Sequence, residues 1–207
     1  MEIPRETDEF AVVERLAAML CDLPETDYQV TLSYSLFGTM ICWIVQRIRS
    51  NEPSLKNATK TMVDEFRKET VNNLRTLGFD FKTKRIELKS KNFGPPLEVP
   101  TWQHVNLFDF LVSLRNSIAH GDHRCVRAIH EKKNGVNILV GYRFTIEIDI
   151  NNPLASARDP SWKLVGDIVL KRHDFHILGS ILSRRFCDAL QFSAKRTENL
   201  SRNERAA

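Results

Sequence analysis

Arginine, a side-chain amide and histidine stand together in one short segment, Arg115-Asn116-Ser117-Ile118-Ala119-His120. An arginine fork can hold a phosphate and stays charged at neutral pH. An imidazole titrates near neutrality and can trade protons. Asn116 and His120 are four apart, so a helix would place them on one face, and the long Arg115 side chain could swing toward them. In the last turn of a helix, the dipole would favour the protonated form of His120. Such a set at an exposed helix end suits phosphodiester cleavage. The same residues also fit a helix-capping histidine beside an arginine in a surface ion pair. With eighteen arginines and six histidines in the chain, the five-residue spacing by itself discriminates nothing.

The segment needs a helix to present it. Leu107, Leu111, Leu114 and Ile118 form an apolar stripe that Phe108 widens, and Gly121 directly after His120 suits a left-handed stop. A helix is therefore predicted between Trp102 and His120. Upstream, the chain reads as helical. Phe10, Val13, Leu16, Ala17 and Leu20 recur at helical spacing, as do Met62, Phe66, Val71 and Leu74 less regularly. A third helix is expected over Val30–Ile48, capped by Asp27, and Gly78 suits a stop after Leu77.

Downstream the period changes to two. Val136, Ile138, Val140, Tyr142, Phe144, Ile146, Ile148 and Ile150 alternate with mostly polar residues, which predicts a strand with one wet face. Asn134-Gly135 before it is a hairpin signal, so Arg124–His130 should pair with it. Trp162, Leu164, Ile168 and Leu170 continue the pattern as a third strand. A last helix is predicted over His173–Ala194, followed by a polar tail from Thr197 to Ala207 that should fray. The whole reads as one domain over 1–207. Its expected fold is mainly α, a helical bundle with a small antiparallel meander, about 124–171, inserted between the motif helix and the last helix. Proline-marked stretches at 50–57, 92–100 and 151–161 punctuate it.

Charge is uneven beneath a net of +4. Residues 1–27 are acidic, whereas 47–91 and 171–207 are basic, and the basic segments suit either a phosphate backbone or solvated helix faces. Arg124, Arg127, Lys132 and Lys133 lie just beyond the motif and are candidates for RNA contact, or for a charged hairpin edge that resists aggregation. Cys21, Cys42, Cys125 and Cys187 are far apart and suit reduced thiols in a cytoplasmic protein. The Val30–Val45 run is interrupted by Ser33, Ser35 and Thr39 and is shorter than the roughly 20 residues that span a bilayer. The acidic start is unlike a secretory signal. His120, Asp122 and His123, or His173 and His176, are weak metal candidates, and no metal or cofactor is expected. Nucleotide-loop and serine-hydrolase motifs are absent from the sequence.

The segment from Leu114 to Asp122 resembles the RxxxxH motif of the HEPN superfamily, with a polar residue after the arginine, glycine after the histidine and an amphipathic helix carrying both. The meander would make this an elaborated branch of a family rich in prokaryotic toxins and defence ribonucleases. The resemblance implies metal-independent RNA cleavage through the 2′-hydroxyl. Arg115 would polarise the scissile phosphate, His120 would act as base or acid, and Asn116 would orient one or the other. It also implies a two-fold dimer sharing one site, and an antitoxin or nucleotidyltransferase as a further partner. The alternative is a non-catalytic HEPN-like interaction or RNA-binding module. The dimer is testable directly: sedimentation at micromolar concentration should give twice the monomer mass, and a monomer that persists with RNA present would contradict it.

Overall fold

A computed structural model of the chain describes residues 5–49, 56–88, 101–150 and 162–206. The proline-marked positions Pro53, Pro95, Pro96, Pro100, Pro153 and Pro160 lie outside them. The described residues form six α-helices, a 3-10 turn at Trp102–His104 and four strands, and the chain divides into two compact units, 1–65 with 172–207 and 66–171. Among the described residues no helix is long and apolar enough to cross a membrane.

The first unit is helical. α1 (Arg5–Cys21), α2 (Gln29–Arg49) and α6 (Arg172–Ala206) pack on one another, and α3 (Lys56–Lys68) runs out of this unit into the second. Phe37, Met40, Ile41 and Ile44 of α2 face Phe175, Leu178, Leu182 and Phe186 of α6 across a core in which all are buried. Gly179 lets the helices approach, because a Cβ there would collide with Leu20 and Met40. One carboxylate is buried in this unit. Glu9 accepts a hydrogen bond from Trp43 Nε1 at 2.5 Å and pairs with Arg47 Nε at 2.6 Å, so its charge is matched where water is excluded.

The second unit is α/β. Its sheet is antiparallel in the order β1-β4-β3-β2, with β1 at Phe81–Leu88, β2 at Val126–Lys133, β3 at Val136–Ile150 and β4 at Trp162–Lys171. The hairpin between β2 and β3 turns at Asn134 and Gly135, both at positive φ, as two-residue hairpins require. Phe144, Ile146, Ile148, Leu164, Ile168 and Leu170 fill the inner face. Phe81 joins them, 5.1 Å from the Trp102 ring and 5.5 Å from Phe110. α5 (Leu107–His120) covers this face with Leu107, Phe110, Leu111 and Leu114, and Asn106 caps its start by accepting the Asp109 N–H at 2.8 Å.

This overturns the expectation of a mainly helical bundle with a small inserted meander. The strand β1 precedes the motif helix and closes the sheet beside β4, so the sheet is the frame on which α5 rests. β1 escaped notice for a physical reason. It is an edge strand rich in charge, Phe81-Lys82-Thr83-Lys84-Arg85-Ile86, and a register shift between Thr83 and Arg85 breaks its alternation. Two further boundaries differ. The Met62–Leu74 pattern is two helices, α3 and the short α4 (Asn72–Thr76), parted where Thr70 bridges Asn106 and Val71 N donates to Val105 O. The last helix continues through the tail expected to fray, to Ala206.

β3 is longer than its partner on one side. Pairing with β2 ends at Thr145 N, which donates to Cys125 O. The next carbonyls on that edge face α5. Ser117 Oγ donates to Thr145 O at 3.0 Å and Ser113 Oγ to Glu147 O at 2.9 Å. One helical turn advances about 6 Å over four residues, and two strand residues advance about 7 Å, so the two ladders match. The paired change Ser113→Ala with Ser117→Ala should cost about 1–3 kcal/mol by leaving strand carbonyls unpaired. Urea midpoints of the double variant and the parent measure it, and equal midpoints would show that the hydroxyls do not hold the helix.

Candidate functional site

α5 stops where the sequence predicts. Gly121 takes φ 58°, a left-handed conformation, and its N–H donates to Ser117 O at 3.3 Å. The helix therefore ends with His120 in its last turn and exposed. Arg115 and Asn116 are half-buried one turn earlier, and Arg115 Nη1 donates to Asn116 Oδ1 at 3.1 Å. Five residues turn about 140° around a helix and four turn about 40°. Asn116 and His120 thus share a face, and Arg115 departs from the helix on another side before bending toward Asn116. The structure brings Arg115 and Asn116 together. His120 makes no hydrogen bond or ion pair with another described residue, so its ring is open to whatever approaches the helix end.

The turn after the helix is held by charge. Asp122 accepts the Arg124 N–H at 2.9 Å and Arg124 Nε at 3.1 Å, and His123 Nδ1 stands 3.0 Å from it. The hydrogen bond from the Arg124 backbone, aided by the nearby Arg124 charge, holds the Asp122 carboxyl below its ordinary range. Arg127 Nε donates to His123 O at 3.1 Å and ties the turn to the first residues of β2. Asp122 and His123 thus serve the turn's geometry. Among the described residues, no three His, Cys, Asp or Glu side chains cluster as metal ligands would.

The four basic residues expected to contact RNA are divided by the structure. Arg124 and Arg127 lie at the root of β2, beside the motif. Lys132 and Lys133 lie at its tip, next to the Asn134-Gly135 turn. Six strand residues separate Arg127 from Lys133, which is about 20 Å. The lysine pair and the arginine pair therefore lie at opposite ends of β2.

Two groups of residues escaped the sequence reading. Ser113 and Ser117 position the motif helix, and their four-residue spacing on its flank was the available signal. The other group lies on the outer face of the sheet. Asp167 of β4 is buried, accepts Thr145 Oγ1 at 2.6 Å, pairs with Lys84 Nζ at 2.9 Å and lies 4.0 Å from Arg143 Nε. This convergence joins β1, β3 and β4 and required knowledge of a strand the pattern did not disclose.

No family model matches the chain, and no curated protein or solved structure is significantly similar to it.

In the first unit, one of the His173 and His176 pair is engaged by the protein. His176 Nε2 lies 3.3 Å from Ser33 Oγ, against a buried serine of α2. Burial lowers the His176 pKa, and the neighbouring charges of Arg172 and His173 lower it further. A depressed folded-state value means that the unfolded chain takes the proton first. Stability from this group is complete above the ordinary histidine value of 6.5 and is lost as the pH falls through the folded value. Urea unfolding from pH 8 to 5 should show that decline, and His176→Gln should flatten it. An identical pH dependence in the variant would remove His176 as the cause.

Proposed function

We propose that the chain is a metal-independent endoribonuclease of HEPN type acting in the cytoplasm, as a toxin or phage-defence effector. The motif helix rests on an antiparallel sheet and not in a helical bundle. The observation that carries it is the presentation of His120 at an open helix end, one turn beyond the hydrogen-bonded Arg115–Asn116 pair and next to the cationic turn of Arg124 and Arg127. A helix terminus pinned to a sheet edge is a rigid support for such a set.

The chemistry follows from the groups. A base takes the proton of a ribose 2′-hydroxyl, and the 2′-oxygen attacks the adjacent phosphorus. The bond to the 5′-oxygen breaks, an acid protonates that oxygen, and the products are a 2′,3′-cyclic phosphate and a 5′-hydroxyl. Arg115 neutralises the charge gathering on the non-bridging oxygens, with Asn116 fixing its direction. One His120 cannot be base and acid at once. The 140° between Arg115 and His120 also turns them apart within one copy. Two copies related by a two-fold axis would supply both histidines and let the arginine of one chain face the histidine of the other. An antitoxin or a nucleotidyltransferase remains a fitting further partner, because a toxin of this kind must be held in check.

A non-catalytic RNA-binding module is the competing reading, favoured by the open ring of His120, which has no orienting partner among the described residues. Cleavage decides between the two. Purified protein should cut RNA, leave cyclic phosphate ends, spare DNA and retain its rate in excess EDTA. His120→Ala and Arg115→Ala should each lower the rate by about 10²–10⁴, with unchanged circular dichroism. Intact RNA with wild-type protein, or activity abolished by EDTA and restored by one metal, would reject the ribonuclease reading.

A further inference from the structure

The sheet of the second unit has one face packed under α5 and another that carries charge to solvent. On that outer face, Arg127 of β2 stands directly opposite Arg143 of β3. Directly opposed residues on antiparallel strands hold their Cβ atoms about 5 Å apart and project to the same side. Two like charges so placed repel, and the arrangement costs stability unless something anionic lies between them. The protein itself supplies little to offset them. Arg127 spends Nε on the His123 carbonyl. Arg143 is half exposed and reaches only 4.0 Å from Asp167, whose carboxylate is already engaged by Lys84 at 2.9 Å and the Thr145 hydroxyl at 2.6 Å. Lys84, with 46% of its side chain exposed, lies on the same face and is paired with Asp167, so Arg127, Arg143 and Lys84 stand against this one buried carboxylate. The other end of the face is balanced, with Lys163 on Glu147 and Arg85 on Glu87.

We propose that Arg127 and Arg143, with Lys84 beyond them, form a phosphate-binding row on the open sheet face that holds the backbone of RNA beside the motif helix. Paired guanidinium forks match the oxygens of a phosphodiester and can grip it from two sides. The row runs across the sheet from β2 to β1, about 14 Å at 4.8 Å per strand, which is room for more than one phosphate. Its near end is Arg127, bonded to the turn that follows His120, so a strand lying on the row would pass the helix end. The ligand class rests on the ribonuclease reading, whereas the row itself rests on register and charge.

The test is binding of a 5′-labelled 20-nucleotide oligouridylate to the full chain carrying His120→Ala, followed by fluorescence anisotropy across a salt series. Arg127→Gln and Arg143→Gln should each weaken binding about tenfold and flatten the plot of log affinity against log salt by about 0.7 per phosphate released. Arg85→Gln removes the same charge from the balanced end and should leave both quantities unchanged. Thermal unfolding should show Arg143→Gln no less stable than the parent, since it relieves repulsion; if that variant fails to fold, Arg127→Gln on the edge strand carries the test. Parent affinity and slope in the arginine variants would overturn the proposal. An equal loss in Arg85→Gln would also overturn it, by reducing the effect to net charge, as would polyglutamate binding as tightly as the RNA. Cleavage by the wild-type chain with arginine-independent binding would defeat the row and leave the ribonuclease standing. Arginine-dependent binding without cleavage would do the reverse.

Discussion

The second unit depends on how its longest strand avoids an open edge. β3 runs for fifteen residues, and β2 leaves the end nearest Ile150 uncovered on one side. Unpaired strand carbonyls invite other chains and are costly when shielded from water. α5 closes that edge with two serine hydroxyls spaced to meet alternate carbonyls. The same contact sets the rotation of α5. With Ser113 and Ser117 turned to the strand and Leu107, Phe110, Leu111 and Leu114 turned to the core, Asn116 and His120 are left on a flank facing away from the packed interior. Placement of the motif is thus a consequence of strand length.

The charged residues follow a related logic. Asp167 is buried on the outer face of the sheet, with Lys84 and the Thr145 hydroxyl beside it. It joins three strands through one group. Asp167 is shared between Lys84 at 2.9 Å and Arg143 at 4.0 Å, so the β2–β3 end of the face keeps an excess of positive charge. Glu9 in the first unit is handled the same way, by Trp43 and Arg47, with Arg47 stacked 4.6 Å from the indole. In both units buried carboxylates are matched locally.

Much was legible in the residues alone, and for identifiable reasons. The Leu107–Ile118 stripe and Gly121 specify the motif helix and its stop, because helical period and positive φ are local properties. Asn134-Gly135 specifies the hairpin because few residues tolerate its backbone angles. The alternation from Val136 to Ile150 announces a half-buried strand, and Phe144, Ile146 and Ile148 bear it out, whereas Val136 and Ile138 at its start are exposed. Asn116 and His120 share a face because they are four apart on one helix, and Arg115 meets Asn116 because the two are adjacent. None of these depends on contacts distant in sequence.

Other features were decided only by tertiary contacts. β1 is a strand because β4 pairs with it; its own sequence is too charged, and too interrupted by its register shift, to declare one. Mirroring residues about the Asn134-Gly135 turn would set Arg127 opposite Tyr142. The shift between Ile129 and His130 moves the register by one residue and sets Arg127 opposite Arg143 instead. In a strand, one residue of register exchanges the two faces, so a bulge that no local propensity announces determines which charges meet. The sequence by itself determined the motif, its helix and the turn that ends it, because backbone preference and periodicity act over a few residues. The sheet order, the edge that α5 closes and the cations gathered on the outer face arose from pairings across long stretches of chain, where packing and hydrogen-bond satisfaction, not local preference, select the partner.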